Sequence, residues 1–292
     1  MASTTTSSTA DKHIILITGA NTGLGYETIK ALAQSSTTYD IILGSRSAAK
    51  GEDAMQRLKA EVPDTSSSVT VLEIDITSDE SINRAFEDVR SKWGRLDTLV
   101  NNAGGSFDTE LLAGTMTLRE SFNRSYDLNV SSVQVLTQVF MPLLLESRTS
   151  NTATTTTTTT TTRTPARLLF ITSGTSSLNE TLNAAMPINS AVPAGWPKPT
   201  PDWYILGYRA SKTGLNMVFR DWVRVLGRDA VKVFAISPGF LATGLAGVGA
   251  DRLRERGARD PSIGGAFVRE VVEGRRDDDA GLVIRKDVVQ PW

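Results

Sequence analysis

A tyrosine and a lysine four positions apart, in Tyr208-Arg209-Ala210-Ser211-Lys212, are the first residues in this chain that could move a proton. On a helix, side chains at i and i+4 share one face, one turn apart. A free tyrosine has a pKa of about 10, too high for ready proton exchange near neutrality. A neighbouring ammonium favours the phenolate, so the expected effect of Lys212 is to lower the Tyr208 pKa and make it a usable acid/base. Alone the pair is weak, because most Tyr/Lys pairs of this spacing that arise by chance are surface pairs.

Nearer the N-terminus, an apolar run ends in Thr18-Gly19-Ala20-Asn21-Thr22-Gly23-Leu24-Gly25. Glycines at a strand-to-helix turn let backbone approach a pyrophosphate, and the helix start offers free N–H groups and partial positive charge. The spacing is Gly-x3-Gly-x-Gly, and such turns also serve simple packing. The next apolar run ends in Gly44-Ser45-Arg46. Sites for NAD usually carry an acid here for the adenosine 2′-hydroxyl. Position 45 is instead a serine followed by a cation, which suits the 2′-phosphate of NADP; a surface ion pair is the other reading. Asp75-Ile76-Thr77 offers a carboxylate to an adenine amino group, or a turn-forming Asp. Asn101-Asn102-Ala103-Gly104 supplies small residues for close backbone approach and Asn side chains to tie strand ends, or a plain Asn-rich turn.

These residues need elements to hold them. Apolar runs predict strands over His13–Thr18, Asp40–Ser45, Ser68–Ile74, Leu96–Asn101, Ala166–Thr172, Val231–Ser237 and a short Leu282–Arg285. Helical patterns fill the intervals: Asn21–Gln34, Ala48–Glu61, Asp79–Trp93, Leu118–Leu145 with a bend expected near Pro142, and Tyr204–Leu226. Strand–helix alternation implies right-handed crossovers and a parallel sheet covered on both faces. The expectation is a doubly wound α/β fold in one domain over residues 12–292, with three layers. Residues 1–11 read as a disordered Ser/Thr-rich leader without the apolar core of a secretory signal. Thr154 to Thr162 is an unbroken threonine run within a Thr-rich loop, residues 149–165, and has no apolar face to bury. Residues 179–203 form a Pro-rich loop with Pro187, Pro193, Pro197, Pro199, Pro201, Trp196 and Trp203, and its aromatics suggest a substrate-side role. Four arginines in Arg252–Arg259 read as a solvated helix face.

Composition removes several classes of chemistry. The 292 residues carry no cysteine, so disulfides, thiolate metal sites and cysteine nucleophiles are excluded. With His13 as the one histidine, a His-based zinc site or a Ser-His-Asp triad has almost nothing to draw on, and no metal is expected. The net charge of −1 gives no basic surplus for nucleic acid or an anionic membrane. No apolar run approaches 18 residues, so no membrane span is expected and a cytoplasmic location is the default.

Taken in order, the segments resemble the short-chain dehydrogenase/reductase family from about Lys12 to Thr243. The matching parts are the Thr-Gly-x3-Gly-x-Gly turn, Asp75, the Asn-Asn-Ala-Gly run, Asn129 in Leu-Asn-Val, Ser173 after the fifth strand, Tyr208-x3-Lys212, and Pro238-Gly239 with Thr243. The resemblance implies a catalytic tetrad of Asn129, Ser173, Tyr208 and Lys212. Read singly, Asn129 could be a helix-kink residue, and Ser173 one of several loop serines beside Ser176 and Ser177. The expected cofactor set is Gly19, Asn21, Gly23, Leu24, Gly25, Ser45, Arg46, Asp75, Ile76, Asn102, Ala103, Gly104, Tyr208, Lys212, Pro238, Gly239 and Thr243, around NADP(H). The implied activity is NADPH-dependent reduction of a small-molecule ketone or aldehyde, with Ser173 bonding the substrate oxygen, Tyr208 protonating it, Lys212 holding the ribose and Asn129 anchoring a proton-relay water. Oxidation of an alcohol with NAD(P), or NADP binding without turnover, remain the alternatives.

Three departures from the family pattern stand out. The Thr tract lengthens the connection before the fifth strand. Ser173 and Tyr208 lie 35 positions apart, longer than is usual. Gln138 stands where many relatives carry a lysine. The ending Val288-Val289-Gln290-Pro291-Trp292 is similar to that of carbonyl-reductase-type members, which also carry a long insert before the tyrosine. A bulky loop at the start of the Tyr208 helix would obstruct a subunit interface. The expectation is a monomer or weak homodimer whose loop walls a pocket for a bulky or aromatic carbonyl compound.

Overall fold

The computed structural model describes residues 12–149, 165–198, 205–245 and 247–292. Seven strands form one parallel sheet in the order β3-β2-β1-β4-β5-β6-β7. They are β1 (His13–Ile17), β2 (Tyr39–Ser45), β3 (Ser68–Glu73), β4 (Thr98–Asn101), β5 (Arg167–Ile171), β6 (Lys232–Ile236) and β7 (Val283–Ile284). Each predicted strand is present within about two residues of its predicted ends. The β1 run is continuous in apolar residues because both its faces are covered. Ile14 and Leu16 join the core on one face, Ile15 and Ile17 the core on the other.

Helices α1 (Gly23–Ala33), α2 (Ala48–Glu61) and α9 (Pro261–Val272) supply Ile29, Leu32, Leu58, Phe267 and Val271 to one core. Helices α3 (Asp79–Trp93), α6 (Ser132–Thr149) and α7 (Leu206–Val225) supply Ile82, Leu136, Phe140, Leu215 and Phe219 to the other. The three-layer, single-domain reading holds. The helical stretch Leu118–Ser147 is long and apolar enough by length and composition to cross a membrane. Here it is a core element, with Val133, Leu136, Phe140, Leu143 and Leu144 buried against the sheet.

Two helical readings need correction. The stretch from Leu118 is not one helix bent at Pro142. Helix α5 (Leu118–Tyr126) passes into a π-helical turn, Asp127–Ser131, and α6 follows with Pro142 inside it. The break belongs to the turn that carries Asn129, because a widened turn redirects side chains in a way sequence periodicity does not report. Helices α4 (Asp108–Leu112) and α9 were not anticipated, whereas α8 (Ala250–Glu255) falls where Arg252–Arg259 reads as a helix face. The start of α9 was legible, since Asp260 accepts a bond from the Ser262 N–H and Pro261 takes the first helical position. Thr154–Thr162, Pro199, Pro201 and Trp203 lie outside the described residues.

Helix α9 closes on α1 through glycines. A Cβ on Gly265 would lie 2.4 Å from the Glu27 carbonyl carbon and oxygen, and one on Gly264 would lie 2.8 Å from Leu24 Cδ1. Backbone cannot yield as a side chain does. Gly265→Ala is therefore expected to destabilise the protein by about 1–3 kcal/mol, although alanine is the better helix former. Thermal unfolding checks this; an unchanged or higher midpoint would mean that the α1–α9 contact is loose.

Candidate active site

The order of the sheet reverses between β1 and β4, and a doubly wound sheet opens a crevice beyond the strand ends at such a point. The glycine turn follows β1 there. Gly19 (φ +63°) and Gly23 (φ +56°) take left-handed conformations that favour glycine. A Cβ on Gly25 would lie 2.5 Å from Asn102 Nδ2 and 2.6 Å from the Gly19 oxygen. The Asn102 amide donates to the Thr18 and Gly19 carbonyls at 2.7 and 3.2 Å. Thr18 Oγ1 in turn accepts the Asn102 and Ala103 N–H groups at 3.1 and 3.0 Å. The Asn-Asn-Ala-Gly run therefore clamps the turn across two strand ends. No acidic residue occupies the first turn of α1, so its positive end is open to an anion.

Around the rim the predicted residues differ in what they have free. Arg46 is exposed and makes no hydrogen bond or ion pair among the described residues. Ser45 does not fit its expected role as a direct ligand. It is buried, and its hydroxyl donates to the Ser47 carbonyl at 2.9 Å to shape the turn into α2. Asp75 accepts from the Thr77 N–H and hydroxyl through one oxygen, a turn bond that leaves the second oxygen available. Ile76 is buried behind it. Asn21 and Leu24 flank the glycine turn, with the Asn21 carbonyl 3.4 Å from Arg57 Nη2.

At the far end of the crevice the proton-handling residues meet. Ser173 follows β5, and its hydroxyl stands near enough to the phenol of Tyr208, in the first turn of α7, to lower that phenol's pKa. Thr175 also reaches Ser173 Oγ, at 2.9 Å by its hydroxyl and 3.2 Å by its N–H. Lys212 is buried one turn along. Its Nζ donates to the Ile171 carbonyl at 2.9 Å and lies 5.8 Å from the Tyr208 ring centre. A Cβ on Gly104 would lie 3.3 Å from Lys212 Nζ and 2.8 Å from Asn129 Oδ1, so these groups flank one bare backbone. The Asn129 side chain grips the next residue: Oδ1 accepts the Gly105 N–H at 3.0 Å, and Nδ2 donates to the Gly105 carbonyl at 2.8 Å and to Ser211 Oγ at 3.0 Å.

Electrostatics here correct one expectation. Burial pushes the Tyr208 phenol up to about 12, and the nearby Ser173 hydroxyl opposes that rise. Burial also pulls the Lys212 ammonium down to about 8. Lowering of the tyrosine by the lysine is not what dominates; loss of solvation outweighs an attraction across this separation. The arrangement holds a protonated phenol beside a cation that titrates near neutral pH.

Comparison with known proteins matches residues 13–173 to the short chain dehydrogenase family. The chain belongs to the short-chain dehydrogenase/reductase family. This dehydrogenase/reductase is 46% identical to short-chain dehydrogenase/reductase eupG of Phoma sp over 98% of its own length and 99% of that protein's. Its fold is similar to NADPH-bound carbonyl reductase from chicken fatty liver, with TM-score 0.69 and 20% identity, covering 96% of this chain and 99% of that one. It is similar in the same degree to a 3-oxoacyl-[acyl-carrier protein] reductase from Brucella melitensis in complex with NAD, with TM-score 0.69 and 21% identity, over 95% and 96% of the two chains.

The bare cradle of Gly19, Gly25 and Gly104 and the open end of α1 fit the nicotinamide cofactor that this oxidoreductase fold binds. Thr243, after β6, faces the Gly23 turn, where a Cβ on Gly23 would lie 3.5 Å from Thr243 Cβ, and Gly239 (φ +99°) follows Pro238. Trp196 departs from the expected pocket wall. It is 88% exposed, so it encloses no pocket among the described residues. Two further residues, to which the sequence reading assigns no role, contact the loop of Ser173. Gln290, buried near the C-terminus, donates to the Ser173 carbonyl at 3.2 Å, and Arg285 pairs with Glu180 just beyond. The ending Val288-Val289-Gln290-Pro291-Trp292 stands out in the sequence, but its contact with Ser173 does not, because that partner lies 117 positions away.

Proposed function

We propose that this protein reduces a carbonyl compound to an alcohol with NADPH. The observation that carries the reading is Lys212, buried one turn along the helix from Tyr208 with its Nζ held at the Ile171 carbonyl and 5.8 Å from the tyrosine ring, with Ser173 close enough to the phenol to lower its pKa. When bound, the nicotinamide cofactor supplies the hydride. Ser173 Oγ hydrogen-bonds the substrate oxygen and orients it, and the Tyr208 hydroxyl gives its proton to that oxygen as negative charge develops. Lys212 holds a ribose hydroxyl and keeps a positive charge near the phenol. Asn129 holds Gly105 and Ser211, which keeps the backbone beside Lys212 in place. Burial keeps the phenol protonated, the state that gives its proton to the developing alkoxide. The free guanidinium of Arg46 supports NADPH over NADH. Exposed Leu178, Leu182, Phe240 and Leu245, on the segments leaving β5 and β6, support an apolar substrate.

The direct test is cofactor oxidation against a panel of ketones, aldehydes and quinones with each reduced cofactor. Turnover with NADPH well above NADH supports the reading, and no turnover with any carbonyl compound overturns it. The reaction also carries a pH signature. Lys212 is cationic below about 8 and neutral above. The kcat/KM for NADPH, which reports ionisations of the free enzyme, is expected to fall as pH rises through about 8. Tyr208 stays protonated across that window and contributes no second fall. A profile flat through pH 8 would remove Lys212 as the titrating group.

A further inference from the structure

The helix that carries Tyr208 and Lys212 starts without a cap of its own. The residue at its N-cap position is Ile205, whose side chain has no acceptor, and no side-chain cap bond forms there. An N-cap oxygen ordinarily accepts the N–H groups of the second or third helical residue, here Gly207 and Tyr208. Those two groups are instead taken by Asp108, from helix α4 about a hundred positions earlier. Gly207 N–H donates to Oδ1 at 2.9 Å, and Tyr208 N–H to Oδ2 at 3.0 Å. Ser106 Oγ donates to Oδ2 at 3.0 Å as a third partner. Asp108 is 1% exposed, so this carboxylate is fully committed to the contact. A Cβ on Gly207 would lie 3.1 Å from Asp108 Oδ1 and 3.3 Å from Ser125 Oγ. The missing side chain is what lets the end of α7 seat against α4 and α5.

We infer that Asp108 is a positioning residue for the reaction, capping α7 from a distance and setting where the Tyr208 hydroxyl stands against Ser173. This rests on the function proposed above. One carboxylate oxygen bonds the backbone N–H of Tyr208 itself, so a shift of that bond moves the Tyr208 Cα. Lys212, one turn deeper, has its own anchor at the Ile171 carbonyl and moves less. The proton donor is therefore the group most exposed to loss of Asp108, and the cofactor cradle, built from β1 and β4, the least. A carboxylate is suited to the task because it accepts two parallel N–H bonds at once and complements the positive end of the helix.

The test uses full-length Asp108→Ala and Asp108→Asn. Asparagine preserves volume but leaves one acceptor oxygen in place of two. For Asp108→Ala, kcat for carbonyl reduction is expected to fall about tenfold to a hundredfold, the scale of a small misplacement of a reacting group. The KM for NADPH is expected to stay within about threefold. Amide exchange at Gly207 and Tyr208 should accelerate at least about tenfold, while β1 and β4 keep their protection. Asp108→Asn should lie between Ala and the parent on both readouts. Unchanged kcat with unchanged exchange in the first turn of α7 overturns the inference. So does a loss of protection spread evenly through the sheet, which would mark Asp108 as merely structural. If Asp108→Ala does not fold, Asp108→Asn is judged by the same measurements. If the parent protein turns over no carbonyl compound, the exchange measurement still decides the cap, and the failure falls on the proposed reaction alone.

Discussion

Tyr208→Phe is expected to lower carbonyl reduction by about 10²–10⁴-fold, the contribution of a positioned general acid, with little change in NADPH affinity. The substitution removes one oxygen and keeps the ring that packs beside Lys212. Ser173 keeps its contact with Thr175 at 2.9 Å, so its loop has no reason to collapse. Single-turnover kinetics, with cofactor binding followed separately, distinguishes loss of chemistry from loss of cofactor. Turnover within a few-fold of the parent would remove Tyr208 as the acid. A parallel collapse of NADPH binding would instead place the residue in the cofactor site alone.

The second large effect concerns cofactor choice. Arg46→Ala is expected to weaken NADPH by about tenfold to a hundredfold, the range for one hydrogen bond to a charged group, and to leave NADH almost untouched. Arg46 is exposed, so water and salt screen the contact and the lower end of that range is the expected one. Fluorescence titration with both cofactors checks it. Equal weakening of NADH and NADPH would make Arg46 a structural residue. The environment of Ser45 explains why the substitution belongs at Arg46: Ser45 is buried and holds the turn into α2, so an aspartate there would disturb the fold before it met a cofactor.

The amino-acid sequence by itself determined the sheet and the chemistry at its edge. Runs such as Ile14–Ile17 are apolar at every position because strands in a parallel sheet are covered on both faces, and that pattern is local. The same holds for Gly19 and Gly23, whose left-handed turn conformations only glycine adopts freely, and for Tyr208 and Lys212, which a helix brings to one face by spacing alone. Tertiary structure decided the rest. Asn129 sits in a π-helical turn fastened to Gly105, where periodicity pointed to a bend at Pro142. The direction of the Tyr208 shift follows from how much protein surrounds the hydroxyl, a quantity that residue spacing does not contain. Asp108 and Gln290 act about 100 and 117 positions from their partners, at Tyr208 and Ser173. Hydrogen bonds of that span are set by which elements pack together, so they leave no mark within any one segment of the chain.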